Sequence, residues 1–533
     1  MRRVPLPLLF LCLTPPLALA QVNSGNLDTT TLNVNRIAIT FNNRGFLGNP
    51  IGWGGARWQG ASPWYGGGVI VFDAGMGLSG LVNGNIRHAL THWGSTYGPG
   101  PIIGSRPALF VNPQDAGRYR TYSIMARDTL TYNADLVEWP ADLGAPVDVQ
   151  GLPVLYGDQT IWTVYNGADT SAKPSSMYDR NQIPHLALEV RQTAFAREGG
   201  PGDTSALANT VFIDYLMINK ELYSIDSAYF TFWTDIDFGA VLSNIPGVDT
   251  SLQLGYMWSS LANPAEHEPA VGYVLLHGPV VPSPGDTAMF AGRPRIGYKN
   301  LPMTAYWGMT RESPNDSTMA SITYSASNIW NVSKGKDKLG RTIVNPVTGQ
   351  PTSFTFSGDP VTGTGWVYDL PYHSGEAGFQ FSSGPFTLAP GDSQWVLVAL
   401  VPGFGPDRFQ SISAMRRSTA EIRSMPYESV ARKQSLRPAQ KITFFPGGPK
   451  LAMNYPNPFN PGTTIEYLVD KAGPVTIEVF NVLGQKIATV VDEVEEAGVY
   501  QTRFNAVNLA SGMYISRLTT TGGVSTRKMM LLK

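Results

Sequence analysis

Carboxylates stand first among the side chains that could do chemistry. Asp235 and Asp237, in the run Thr234-Asp235-Ile236-Asp237-Phe238-Gly239, fall on one side of an extended segment. With Asp249 or Asp214 they would offer oxygen ligands to a structural Ca²⁺, which takes roughly six to eight. The same residues serve equally as turn-capping carboxylates, and the later ligands and the glycine position of an EF-hand loop are missing. His88 and His92, four apart, would share a helix face as zinc ligands do, but no Glu completes an HExxH pattern. Glu266-His267-Glu268 is a second short cluster, in a Pro-flanked loop. Trp53, Trp58 and Trp64, with Tyr65 and Trp93, crowd an early Gly-rich stretch. Such rings either stack on the C–H faces of sugars, as in an adhesin or glycan-binding module, or pack a core. A glycosidase needs two carboxylates roughly 5 to 10 Å apart, a relation that spacing alone does not set. No Gly-x-Ser-x-Gly elbow is present, and Gly52, Gly54, Gly55 and Gly66 to Gly68 lack the Lys and the strand-to-helix context of a phosphate loop. No catalytic constellation emerges, so a structural or adhesive role is expected, with a glycan-active enzyme or carbohydrate-binding protein as the alternative.

The elements that must position these residues are strands. Of 533 residues, 43% are apolar, 15% charged and 11% aromatic, with 56 Gly and 41 Pro. That much Gly and Pro is too much for a helix bundle and natural for short strands and tight turns. The 39 Lys and Arg nearly balance the 40 Asp and Glu, so no general field would hold nucleic acid or an anionic membrane. Arg2 and Arg3, the apolar stretch Leu6 to Leu13 and the small residues of Ala18-Leu19-Ala20 read as a signal peptide over residues 1–20, cleaved after Ala20. The single cysteine, Cys12, lies inside it, which leaves the mature chain without a disulfide, a thiol nucleophile or a Cys-ligated zinc.

Residues 21–404 show strand-length runs bounded by turn formers: Arg36 to Phe41, Val69 to Phe72, Thr160 to Tyr165, Leu186 to Val190, Thr210 to Asn219, Ser227 to Thr234, Ala270 to Leu276, Phe354 to Phe356 and Trp395 to Val401. With no repeating period, they predict a mainly β body of one or two β-sandwiches, with a division conceivable near residues 140–155. Residues 405–449 read as a connector, in which Asp407 caps a helix over Arg408 to Ser424, followed by the tether Pro446-Gly447-Gly448-Pro449. An extended, exposed stretch between Arg437 and Lys450 is where a processing peptidase would cut. From residue 450 the texture changes. Tyr455-Pro456-Asn457-Pro458-Phe459-Asn460-Pro461-Gly462 is a turn-forming block, and period-two runs follow through Leu532, punctuated by Leu483-Gly484-Gln485 and Ala510-Ser511-Gly512. Short strands at this spacing predict a small antiparallel sandwich over residues 450–533.

The run YPNPFNPGTTIEY, then VTIEVFNVLGQKI, then LASGMYISRL with a Lys-plus-apolar ending, resembles the type A C-terminal sorting domain of the type IX secretion system. The matching positions include Tyr455, Pro456, Asn457, Pro458, Phe459, Asn460, Pro461, Gly484, Gly512 and Tyr514. The resemblance implies an immunoglobulin-like sandwich that directs cargo, already in the periplasm, through the outer membrane to the cell surface or the medium. It implies the type IX translocon and a sortase-like peptidase as partners, with attachment to surface lipopolysaccharide as a further step. Body segments such as FNNRGFLG, GDQTIWTVYNGAD, FIDYLMINK and FTFWTDIDFG look like those of large, functionally uncharacterised type IX cargo proteins. In those relatives further acidic residues follow the TDIDFG segment, whereas Ser243 and Asn244 stand here, which weighs against an inherited cation site.

Overall fold

The computed structural model describes residues 27–48, 55–59, 68–91, 95–103, 117–129, 132–168, 185–199, 203–239, 243–261, 268–310, 325–368, 377–438 and 448–532. The expected signal peptide lies outside them, as do Pro446 and Gly447 of the expected tether and residues 439–447 of the stretch expected to be cut. Two compact units emerge: one takes the described residues up to Thr121 together with Trp162–Val430, the other Tyr122–Ile161 together with those from Ala431 on.

Two large antiparallel sheets build the first unit. Among the described residues one sheet has ten strands, with Ile225–Asp235 at its centre between Ala377–Leu388 and Asp73–Val82, and Ala305–Thr310 at an edge. The other has nine, with Ser393–Gly403 between Ala270–His277 and Val211–Asn219, and Asn244–Asp249 at an edge beyond Leu254–Ser259. Aromatic side chains join the two. Phe232 of the first sheet lies 4.5 Å from Tyr273 of the second, and Phe230 lies 6.2 Å from Tyr215. A Cβ on Gly255 of the second sheet would stand 2.7 Å from the Phe379 ring and 2.9 Å from Tyr306 of the first. The two sheets therefore form one sandwich in the first unit, while residues 140–155 belong to the second unit, where Val154–Leu155 pairs with Gln434–Ser435.

Most expected strands form, but Phe354 to Phe356 does not: Phe354 makes only a single bridge and Phe356 turns at a φ of 50°. The strands named from spacing did not include Asp73–Val82, where Gly75, Gly77 and Gly80 interrupt the apolar pattern. Each glycine is a packing requirement. A Cβ there would meet Thr91 at 2.5 Å, Thr231 Oγ1 at 2.6 Å and Ile225 at 2.6 Å respectively.

The helix Arg408–Ser424 forms as expected, with Asp407 Oδ1 accepting from the amides of Phe409 and Gln410, both at 2.8 Å. It is no free connector. Ile412, Met415 and Ile422 are buried against Ser393–Gly403 and Ala270–His277, and the helix lies in the first unit. Gly403 lets it approach, since a Cβ there would run into the Met415 backbone. Ser411 Oγ donates to the Glu268 carbonyl at 2.9 Å, and Arg423 to the Leu275 carbonyl at 3.0 Å. The helix is thus grouped with the first unit, which runs to Val430.

The C-terminal residues form a second, small sandwich. Lys450–Leu451, Gly462–Val469 and Gly498–Asn505 make one sheet, and Lys486–Glu495, Gly473–Asn481, Gly512–Thr520 and Gly523–Leu531 the other. Their inward residues, among them Ile465, Val475, Ile477, Val479, Leu518 and Leu531, close a core drawn wholly from residues 451–531. Sheets of three and four strands are what an immunoglobulin-like sandwich requires.

Candidate functional site

The Tyr455 to Pro461 block is stitched into this small sandwich at both sides. Tyr455 exchanges backbone hydrogen bonds with Thr464, at 3.0 and 2.9 Å. Buried Asn454 donates to Thr463 Oγ1 at 2.9 Å and to the Pro456 carbonyl at 3.1 Å, and Thr463 Oγ1 donates to the same carbonyl at 2.9 Å. On the other side Asn457 Oδ1 accepts from the Met530 amide at 2.9 Å. Phe459 donates to the Met530 carbonyl and accepts from Leu532, while its ring enters the core near Phe504. The Pro461 carbonyl accepts from the Ala506 amide. With no N–H on Pro456, Pro458 or Pro461, the block offers few donors of its own, and the two Asn side chains supply the missing partners. The block thus binds the last strand to the sheet opposite. Tyr455 itself is 82% exposed, and Pro456, Pro458 and Asn460 are exposed beside it.

The outlying motif positions also have defined parts. Gly484, at φ 76°, closes the Asn481–Gln485 turn, where Asn481 Oδ1 accepts from the amides of Leu483 and Gln485. Gly512, at φ 155°, opens the strand facing Leu531. The Tyr514 hydroxyl donates to the Ala510 carbonyl four residues upstream at 2.8 Å, as in a tyrosine corner. Sequence reasoning missed Asn454, Thr463 and the buried Asp470, whose Oδ1 accepts from Thr520 Oγ1 at 2.8 Å beside Gly522. A polar residue directly before an aromatic–proline turn was the one available signal for Asn454.

In the body, the expected calcium ligands are not brought together. Asp235 ends its strand opposite Asp73, buried, whereas Asp249 lies at the edge of the other sheet. Asp249 Oδ2 pairs with Arg416 Nε at 3.0 Å and its Oδ1 caps the turn through Ser251. Asp237 lies beyond the strand end, near the Phe238 amide that donates to Asn244 Oδ1. Among the described residues, no three His, Cys, Asp or Glu side chains are grouped to hold a metal ion. Burial pushes the Asp73 carboxyl well above the usual range. His88 is also buried, bridged to His185, and burial followed by the His185 charge pushes it down to about 3. His92, Glu266 and His267 lie outside the described residues.

The expected sugar platform does not form at Trp58. Its side chain turns inward, the indole N–H donating to Asn209 Oδ1 at 2.8 Å and the ring lying edge-on to Phe404, so no face is left for a sugar. Trp53 and Trp64 lie outside the described residues.

Residues 453–532 match the family described as the secretion system C-terminal sorting domain. No curated protein matches the chain. Among solved structures, a polysaccharide lyase aligns over 72% of this chain and 40% of its own at 9% identity and a TM-score of 0.21. Dimeric latent PorU from Porphyromonas gingivalis aligns over 73% of this chain and 33% of its own, at 13% identity and a TM-score of 0.14. A tetra-tandem repeat from the extending region of a large adhesion protein aligns over 95% and 99%, at 10% identity and a TM-score of 0.13. TM-scores this low lend the body no activity. The C-terminal sandwich carries the assignment: it is a type IX secretion sorting domain, and it marks this chain for export through the periplasm to the cell surface or the medium.

Proposed function

We propose that the body is a passenger with a structural or adhesive role outside the cell, delivered by the sorting domain and exposed there to extracellular glycans or surface lipopolysaccharide. The observation that supports it is modular construction. The small sandwich closes its own core from residues 451–531, and the large sandwich closes another around Phe232 and Tyr273. A tag with a complete core can be read by the translocon and removed by a sortase-like peptidase without unfolding what it carried. The signal peptide supplies the first membrane crossing, and the stretch from Arg437 to Lys450 supplies the cut.

The test is removal of residues 450–533 from the native gene. The body then accumulates folded in the periplasm, and cells lose attachment to polysaccharide-coated surfaces to the same degree as a strain lacking the whole chain. Attachment unchanged in both strains would remove the adhesive role and leave export intact. Hydrolysis of a polysaccharide panel by the purified chain would replace the adhesive reading with the glycan-active enzyme.

A further inference from the structure

The strands Val280–Phe290 and Arg293–Asn300 pair only with each other among the described residues. They form a ribbon whose base is fixed firmly. Gln394 accepts from the Val280 amide at 2.8 Å and donates to its carbonyl at 3.0 Å. Asn300 donates to the Gly278 carbonyl at the base, and its bonds from the Met289 amide and to the Met289 carbonyl, at 2.8 to 2.9 Å, hold the turn end of the ribbon back toward that base. Beyond the base the ribbon is largely solvent-facing, with Ile296 83% exposed. Pro282, Pro284 and Pro294 remove edge donors, which blocks the addition of another strand. Side chains, not edges, are what the ribbon presents.

One of its faces is aromatic and cationic. The register sets Phe290 opposite Arg293 and Ala288 opposite Arg295, so these four share a side. The Arg295 guanidinium lies 3.8 Å from the centroid of the Tyr298 ring and 5.4 Å from that of Phe290. Arg293, Arg295 and Lys299 make no ion pair with a carboxylate among the described residues, and Asp286, the one acid of the ribbon, is bonded to Ser283. Three cations without an acidic partner among the described residues stand out on one ribbon of a chain whose overall charge is close to zero.

We propose that this face binds an acidic saccharide, a chain of pyranose rings bearing carboxylates. A guanidinium held against the Tyr298 ring has N–H donors to offer a carboxylate in two-pronged contact. The exposed parts of the Phe290 and Tyr298 rings suit the C–H faces of the sugar. Export places the ribbon among surface and extracellular polysaccharides. The inference rests on the adhesive reading above and names its ligand class.

The purified full chain is titrated calorimetrically with hexagalacturonate, with neutral cellohexaose and with a short DNA duplex, at about 50 and 200 mM salt. Hexagalacturonate binds, cellohexaose binds at least about tenfold more weakly for want of charge-assisted bonds, and the slope of log K against log salt is negative, as for a site that pairs fixed charges. The triple variant Arg293→Ser, Arg295→Ser, Lys299→Ser loses both binding and slope, with its unfolding midpoint unmoved; Tyr298→Ala, which keeps the charges, weakens binding as well. A triple variant that binds like the wild type overturns the ribbon site and leaves the adhesive reading standing. So does duplex DNA binding more tightly than hexagalacturonate, which would reduce the ribbon to a patch of charge. Wild-type chain that binds no hexagalacturonate also overturns the site, while the attachment assay above judges the adhesive reading separately.

Discussion

Replacing Arg416 by Ala tests whether the Arg408–Ser424 helix is part of the body. Arg416 Nε meets Asp249 Oδ2 at 3.0 Å and its Nη1 meets Asp359 Oδ1 at 2.8 Å, so one guanidinium ties the helix to two loops. The side chains are 21%, 17% and 33% exposed, between the surface and the interior. Truncating one partner of a fully buried pair costs about 3 to 5 kcal/mol and an exposed pair about 0.2 to 1, so two part-exposed pairs imply about 2 kcal/mol after solvent screening. An unfolding entropy of about 2.1 cal/mol/K per residue, over a unit of roughly 390 residues, converts that into a fall of about 2 to 3 °C in midpoint. None of the 12 Trp residues lies in residues 450–533 and only Trp139 falls in the second unit, so Trp fluorescence on the full chain reports chiefly the first unit. Arg416→Lys, which keeps one charge and loses the fork, recovers about half of the loss. A pH dependence follows. Burial works to raise the Asp359 carboxyl, and the bonds from Arg416 and the Val361 amide outweigh it, holding the group below its ordinary value. Its contribution is present above about pH 3.9 and disappears as pH falls through the lower folded value, so the gap between wild type and variant narrows below about pH 4. An unmoved midpoint at pH 7, or a gap equally wide at pH 3, would refute the clamp.

Other perturbations address the two sandwiches separately. Ile477→Ala empties the centre of the small core and costs about 2 to 4 kcal/mol; cell fractionation then finds full-length chain in the periplasm, while the Trp-reported transition of the body stays in place. Glu495 accepts from the Tyr467 hydroxyl at 2.7 Å, and burial, only partly offset by that bond, raises its carboxyl. A raised acid favours folding below its unfolded value near pH 4.3 and loses that contribution as pH rises through the folded value. Glu495→Gln therefore stabilises the sorting domain at pH 7 by a few tenths of a kcal/mol, about 0.3 after solvent screening, measured by amide hydrogen exchange, and loses its advantage near pH 4. His88, pushed down to about 3, takes up protons more readily in the unfolded chain. The body midpoint accordingly falls as pH is lowered from about 6.5, and His88→Gln flattens that fall in a Trp-fluorescence melt.

What the sequence disclosed depended on whether local chemistry or tertiary contact decided each element. The Arg408–Ser424 helix was legible because Asp407 caps it and Pro426 stops it. Its attachment was hidden because part of its buried face is polar: Ser411 and Thr419 are buried, satisfied by the Glu268 and Met415 carbonyls at 2.9 and 2.8 Å. An apolar stripe underestimates a face that packs through hydroxyls. Asp73–Val82 failed the other way, since its glycines are demanded by Thr91, Thr231 and Ile225, which arrive from distant parts of the chain.

The same distinction separates the two kinds of functional residue. Tyr455 to Pro461 could be read directly because its prolines and turn-forming asparagines mark an extended turn block whatever it touches, although its bonds reach Thr464 on one side and Met530 of the last strand on the other. Trp58, Asp235, Asp237 and Asp249 looked chemical only in isolation. Asn209 and Arg416, remote in sequence, draw Trp58 and Asp249 into structural work. The ribbon went unread for a related reason, because Pro282 and Pro284 disguise its first strand and its cations acquire meaning only once the register puts Arg293 and Arg295 on one face with Phe290. A body evolved to be carried and displayed concentrates its ordered polar chemistry in holding its shape. Contact with an extracellular ligand is proposed for the Val280–Asn300 ribbon, where Arg293, Arg295 and Lys299 meet no acidic side chain among the described residues.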